Sequence, residues 1–304
     1  MNTELSKTDV LCVGNASYDL VFSVSRHPVA DEKMFAEDFL DCGGGPAANA
    51  AVTVARLGYK AAFMGYLGKD IFGEKHLVEF QREHVNTDHV VRGNAATPLS
   101  TILVKPDGDR AVVNYNRQSL PIGCADIAAD VLEKLHPAVI LFDGHEPVVS
   151  PKLADAARET GIKTVLDAGS VSDGTVSLME RVDYLVCSQK FARDYTGETE
   201  AEKALVGLSK HNTNVVITLG GKGLIWQTPE GHGFLPAFQV DAVDTTGAGD
   251  VFHGAFAVCV AAGLEWDATL SFASAAAALC CTKTGARIGI PTGEKVAVFL
   301  KRIG

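Results

Sequence analysis

The chain has 304 residues, with 27 Lys plus Arg against 37 Asp plus Glu and a formal charge of −10 at neutral pH. Its 47% hydrophobic and 21% charged content is that of a globular protein and excludes disorder as the main state. An acidic chain with no basic block argues against a nucleic-acid backbone or an anionic membrane as the main partner, and leaves room for a local basic pocket for a small anion.

The opening residues MNTELSKTDV are polar and lack the apolar core of a signal peptide. The longest apolar stretch, Ala255 to Gly263, is too short to span a bilayer, so a cytoplasmic location is expected. Seven scattered cysteines without a C-x-x-C pair read as small buried apolar side chains.

In chain order, Val10–Val13 reads as a strand, and Leu20–Ser25 and Lys33–Leu40 as extended, half-buried segments before a Gly-rich turn. Helix Ala47–Leu57, strand Ala61–Tyr66 and helix Gly73–His84 follow. Leu99–Lys105 and Arg110–Tyr115 form a predicted hairpin across Pro106-Asp107-Gly108-Asp109, a strong turn sequence. Strands Val139–Phe142, Thr164–Leu166, Tyr184–Val186 and Val215–Leu219 then alternate with helices Ile127–Leu135, Pro151–Glu159 and Phe191–Tyr195. A long helix after Gly249, an Ala-rich one after Glu265 and a closing helix from Gly293 complete the chain. Short apolar strands alternating with helices imply a three-layer α/β/α fold around a mostly parallel sheet. The extended segments at about 20–41 and 99–116 imply a small β-sheet lid inserted into one domain of residues 1–304.

Two stretches carry most of the chemistry. In Val243-Asp-Thr-Thr-Gly-Ala-Gly-Asp-Val-Phe-His-Gly254, small flexible backbone feeds straight into a helix. Free N–H groups at that helix start make an anion site, and Asp250 sits in the first turn beside it. Asp250 therefore reads either as a residue complementing the helix dipole or as a base held next to a phosphoryl group. The stripped sequence Gly247-Ala248-Gly249 before it favours the base. His253, one turn further in, reads as a packed residue.

In the second stretch, Cys42 to Gly58, three glycines open a helix, so something approaches the backbone closely. Gly43 to Ala48 also matches G-x-G-x-x-A, but it follows several extended segments. The next strand ends without the acidic residue that a dinucleotide site needs. Asn49, among alanines one turn into the helix, is a polar group aimed from a small-residue surface. A third stretch, Thr218-Leu-Gly-Gly-Lys-Gly223, reads either as a hairpin turn or as a nucleotide-phosphate contact. No P-loop, no H-E-x-x-H and no G-x-S-x-G occurs.

Together these stretches resemble the pfkB (ribokinase-like) family of carbohydrate kinases. Asp244–Gly254 resembles its C-terminal signature and Gly43–Gly58 its N-terminal one, with Val13-Gly14-Asn15, Asp19 and Thr218–Gly223 in matching places. The resemblance implies transfer of the ATP γ-phosphoryl group to a sugar hydroxyl, with Asp250 as general base and Gly247, Ala248 and Gly249 as the anion hole. It implies that Asn15, Asp19, Gly44, Gly45 and Asn49 hold the sugar, and that Ser188, Thr218, Gly220, Gly221, Gly223 and Ser274 line the nucleotide. Mg2+ is expected on the ATP phosphates, and a monovalent cation such as K+ at Asp244 and Thr246, completed by the Thr284–Ile290 loop.

The family's N-x-x-E, which helps order Mg2+, is replaced here by Ser188-Gln189-Lys190-Phe191, and the Lys that follows the paired glycines in ribokinases is Pro46. The wording of the signatures is nearest to the sulfofructose kinase and fructokinase-like branch. Lys33, Asn114, Arg117 and His145 come from segments expected to face the substrate. Where a sulfosugar kinase is expected to place Arg, this chain has His145, a weaker and pH-dependent cation. The expectation is a ketohexose such as fructose, with an anionic sugar, ribose or a nucleoside as alternatives and a non-catalytic sugar-binding homologue weighed against them. Pairing of the lid between subunits is expected to give a homodimer.

Overall fold

Strands Val10–Val13, Ala61–Met64 and Val139–Phe142 are buried along their whole length, as expected where helices cover both faces of a sheet. The computed structural model describes residues 8–115 and 127–303. Its main sheet has eight strands. A parallel run takes the order Val215–Thr218, Tyr184–Ser188, Lys163–Ala168, Val139–Phe142, Val10–Val13, Ala61–Met64. Leu224–Thr228 and Gly231–Leu235 extend one edge in antiparallel fashion.

The chain leaves Val10–Val13 for one neighbour, Ala61–Met64, and later returns to the other, Val139–Phe142. That reversal opens a crevice beyond Val13 and Phe142, the usual ligand position in such sheets. Alternate residues feed two apolar layers, Val10, Cys12, Phe63 and Leu141 on one face and Leu11, Val13, Ile140 and Phe142 on the other. No helix among the described residues is long and apolar enough to cross a membrane.

Helices Pro46–Arg56 and Ala248–Ala261 bury small residues against each other. A Cβ on Gly254 would lie 2.8 Å from the Ala50 carbonyl oxygen, so only glycine permits this approach. The close crossing brings the first turns of the two helices together at the crevice.

The lid is a separate four-stranded sheet in the order Asp38–Gly44, Ser17–Ser23, Leu99–Val104, Arg110–Tyr115. The hairpin forms across the expected turn. The first two lid strands reach closer to the crevice than hydrophobicity suggests, because Ser17 pairs with Gly44 and Asp19 with Cys42 in a backbone ladder. The predicted strand Ala61–Tyr66 breaks at Gly65, and Tyr66–Gly68 pairs instead with Val91–Gly93. Short helices Asp173–Leu178 and Ala201–Leu208 were not expected from the sequence, being shorter than the stretch over which repeated apolar spacing is read. The first of them starts on a capping box between Ser172 and Thr175.

Candidate active site

Two adjoining cavities open at the crevice. The one facing the lid has a volume of about 290 Å³ and is lined by Asn15, Ser17, Asp19, Asn49, Ser100 and Asn114, with Gly45, Tyr115, His145, Thr246, Gly247 and Asp250 completing the wall. The other, about 480 Å³, lies over the ends of the strands at Asp143 and Asp167 and includes Gly169, Ser170, Ser172 and Asp173. Pro46, His145 and Asp250 belong to both.

Gly247 caps helix Ala248–Ala261 at φ 76°, a left-handed conformation that favours glycine. The N–H groups of that helix's first turn have no partner within the helix and stand at the positive end of its dipole, with Gly247 and Asp250 on the wall of the cavity facing the lid. Asp250 is half-buried, and its Oδ2 accepts a hydrogen bond from Asn49 Nδ2 at 2.7 Å. Burial, and then the neighbouring Asp167 carboxylate, push the Asp250 proton affinity above the ordinary carboxylate range. Asp167, almost fully buried, is raised by its own burial first and then by Asp143. Two carboxylates that share a desolvated site hold at least one proton more readily than either would alone.

His253 is buried beneath this pair. Its Nδ1 lies 2.6 Å from the Gly249 carbonyl oxygen and 3.3 Å from Asp167 Oδ2, and its Nε2 lies 3.2 Å from the Val186 carbonyl oxygen. Burial lowers its pKa, so the ring is neutral and joins helix to sheet.

Asp143 follows its strand into the floor between the cavities. It accepts hydrogen bonds from the backbone N–H groups of Asn15 at 2.8 Å, Ala47 at 3.1 Å and His145 at 2.9 Å. His145 Nδ1 lies 3.2 Å from Asp143 Oδ1, and the Asp143 charge raises the imidazole pKa to about 9. His145 is thus a pH-dependent cation, as expected, but the Asp143 carboxylate carries its charge through neutral pH. Asp19 is buried beneath Gly44, accepts from Ser17 Oγ at 3.0 Å and is also hydrogen-bonded by Ser100. Burial is the largest influence on it and raises its pKa.

Arg110, on the last lid strand, donates to Thr246 Oγ1 at 2.5 Å and joins the lid to the anion turn. Asp244 is buried where two loops meet. Its Oδ1 accepts from the Thr246 N–H at 2.8 Å and hydroxyl at 2.6 Å, and its Oδ2 from the Gly285 N–H at 2.7 Å.

Not every expected residue reaches the cavities. Lys33 is exposed in the loop between two lid strands and lines neither. Arg117 lies outside the described residues. Ser188 caps helix Gln189–Thr196, accepting from the Phe191 N–H at 3.0 Å and donating to the Gly169 carbonyl at 2.9 Å. Thr218 is its register partner on the next strand, followed by the turn Gly220–Lys222 and by Gly223. Ser274 sits half-buried on helix Trp266–Cys280.

The sequence reading passed over Asp143, Asp167 and Arg287. The first two did leave a signal, an acidic residue at the carboxyl end of a buried parallel strand.

The sequence model of the pfkB family carbohydrate kinases matches residues 7–293. A ribokinase of Lactococcus lactis is 30% identical over 299 residues, spanning 97% of this chain and 98% of its own. A probable fructokinase of Arabidopsis thaliana is 30% identical over 86% of this chain and 89% of its own. The structure of Arabidopsis thaliana ribokinase complexed with ribose and ATP superimposes with a TM-score of 0.85 at 26% identity, covering 97% of this chain and 99% of that one.

Proposed function

The chain belongs to the pfkB family of carbohydrate kinases, and on that premise we propose that it phosphorylates a neutral sugar of the pentose or ketohexose class, with Asp250 as the base. It is an ATP-dependent phosphotransferase with an alcohol group as acceptor. One observation carries the proposal: the Asp250 carboxylate stands at the N-terminus of its helix, beside the Gly247 turn, on the wall of a polar cavity of about 290 Å³.

That cavity has the size and the hydrogen-bonding groups for a single small sugar ring. Asn15, Asp19, Asn49 and Asn114 offer both donors and acceptors to hydroxyl groups. Asp250 takes the hydroxyl proton as the sugar oxygen attacks the γ-phosphorus. The bond to the leaving ADP oxygen breaks, and the proton passes from Asp250 to solvent. N–H groups of the Gly247–Gly249 turn meet the charge on the transferring group, and phosphoryl transfer depends mainly on such positioning. His145, cationic and half-exposed on the shared wall, donates to a hydroxyl or to a phosphate oxygen.

Mg2+ accompanies ATP, and Asp167 and Ser170 in the larger cavity are the hard oxygen donors this ion takes. When bound, it neutralises phosphate charge. The buried Asp244 carboxylate is of the kind that a monovalent cation stabilises, so K+ dependence belongs to the same proposal. We place ATP along the strand ends at Ser188 and Thr218 and the turn that follows.

A neutral acceptor is favoured because His145 is the single cationic side chain on the described wall of the smaller cavity, against Asp19 and Asp250. The relatives named above act, by name, on ribose and fructose, so these two lead the list of substrates to try. The test is ADP release with MgATP and K+ over ribose, fructose, tagatose, nucleosides, fructose 6-phosphate and sulfofructose. Turnover of a neutral sugar is expected. Turnover of the phosphorylated or sulfonated sugars alone overturns the neutral assignment.

A further inference from the structure

Arg287 is among the largest fully buried side chains, 2% exposed, and it lies outside both cavities. It sits on the short helix Ala286–Gly289, and its Nε donates to Asn49 Oδ1 at 2.7 Å. Its Nη1 lies 3.3 Å from Glu79 Oε1, its Nη2 lies 3.4 Å from His76 Nε2, and its guanidinium lies over the Phe80 ring. Glu79 in turn accepts from the Gly43 N–H at 2.6 Å, and Arg56 donates to the Arg287 carbonyl.

The guanidinium Nε is a donor only, so the Asn49 atom facing it must be the carbonyl oxygen. This fixes the sense of the amide. Nδ2 is left to face Asp250, where it donates at 2.7 Å. Without Arg287, nothing on that side prevents the amide from turning over. Its carbonyl oxygen would then face Asp250, repel the carboxylate and accept a hydrogen bond from the carboxylic acid.

We propose that Arg287 is a positioning residue for the phosphoryl transfer, fixing the sense of the Asn49 amide so that its Nδ2 donates to and orients the Asp250 carboxylate. The inference rests on the assignment of Asp250 as base. Other groups also bear on the two ends of this chain of contacts. Asp250 faces Asp167 from the sheet, His253 from its own helix and Asp143 from the crevice floor. Arg287 faces Glu79 and His76 from helix Ile71–Arg82 and Asp19 from the lid. None of these sets the orientation of the Asn49 amide.

The test is the pH profile of kcat for Arg287→Met, which keeps bulk but offers no donor. The expected result is an acid limb displaced upward by about one pH unit, with kcat at neutral pH down about tenfold. In an Asn49→Ala background the same substitution is expected to change kcat less than about twofold, because the two act as one unit. An unmoved acid limb, or an equal loss with and without Asn49, overturns the proposal. If loss of the cation leaves Glu79 uncompensated and the variant unfolds, Arg287→Met combined with Glu79→Gln gives the same readings. Asp250→Asn separates the two ideas. If that variant keeps turnover, the base assignment fails and this inference with it. If it is inactive while Arg287→Met keeps a normal acid limb, this inference alone fails.

Discussion

Asn49 and Asp250 are 201 positions apart in the chain, yet Nδ2 of the first donates to Oδ2 of the second at 2.7 Å. The bond exists because two helices of small residues, Pro46–Arg56 and Ala248–Ala261, cross closely enough for their first turns to meet. The Cys42–Gly58 and Val243–Gly254 stretches of the sequence thus each contribute one side of the same site.

Replacing Asp250 with Asn keeps the size and a hydrogen-bonding group but removes the base. We expect kcat to fall by about 10²–10⁴-fold with little change in the KM for ATP or sugar. Steady-state kinetics on the accepted sugar decide it. Turnover within about tenfold of the parent would remove Asp250 as the base.

The fold was legible because strands such as Val139–Phe142 are short apolar runs and helices such as Ile127–Leu135 carry a clear period. Asp250 and its turn were legible because glycines and a carboxylate at a helix start have few other reasons to be adjacent. Asp167 and Arg287 were not. A single Asp ending a strand, or one Arg between two glycines, takes its meaning from neighbours that only the tertiary fold supplies, here His253 and Asn49. The lid strand holding Ser17 and Asp19 was placed too late in the sequence because backbone pairing, not hydrophobic alternation, holds those residues in it.

Asp167 raises the proton affinity of Asp250 through its charge. A base with a raised pKa is lost to protonation as pH falls, so kcat should decline on the acid side at a higher pH than an ordinary carboxylate would give. Asp167→Asn removes the neighbouring charge and should move that decline to lower pH, by about one unit. An unchanged acid limb would show that the two carboxylates do not share a proton. A measurement at two MgATP concentrations separates any effect on metal binding.

His145 has its pKa raised to about 9 by Asp143, so its charge is present through neutral pH and is lost as pH rises through that value. If the imidazolium contacts substrate, kcat/KM for the sugar falls across that range. His145→Gln keeps a donor but no charge. It should raise the sugar KM about tenfold and abolish the alkaline decline. A parental profile in this variant would remove His145 from the substrate wall.

The lid carries the last prediction. In its register, Phe22 pairs with Phe39 and with Leu103, and Val113 lies on the same face as these residues, two positions along the hairpin partner strand. Phe39 is 52% and Val113 69% exposed, although the opposite face buries Val21, Ile102 and Val104 together. Water-exposed phenylalanine and valine on a four-stranded sheet are costly unless a second surface covers them. A second lid is the covering that the homodimer would supply. Light scattering at micromolar concentration should then give twice the 32.1 kDa of one chain. Val113→Asp places a charge in that face and should yield a folded monomer with a higher KM for sugar, since Asn114 and Tyr115 on the same strand line the cavity. A parent chain that is already monomeric would sink the dimer, and a dimeric Val113→Asp would move its interface elsewhere.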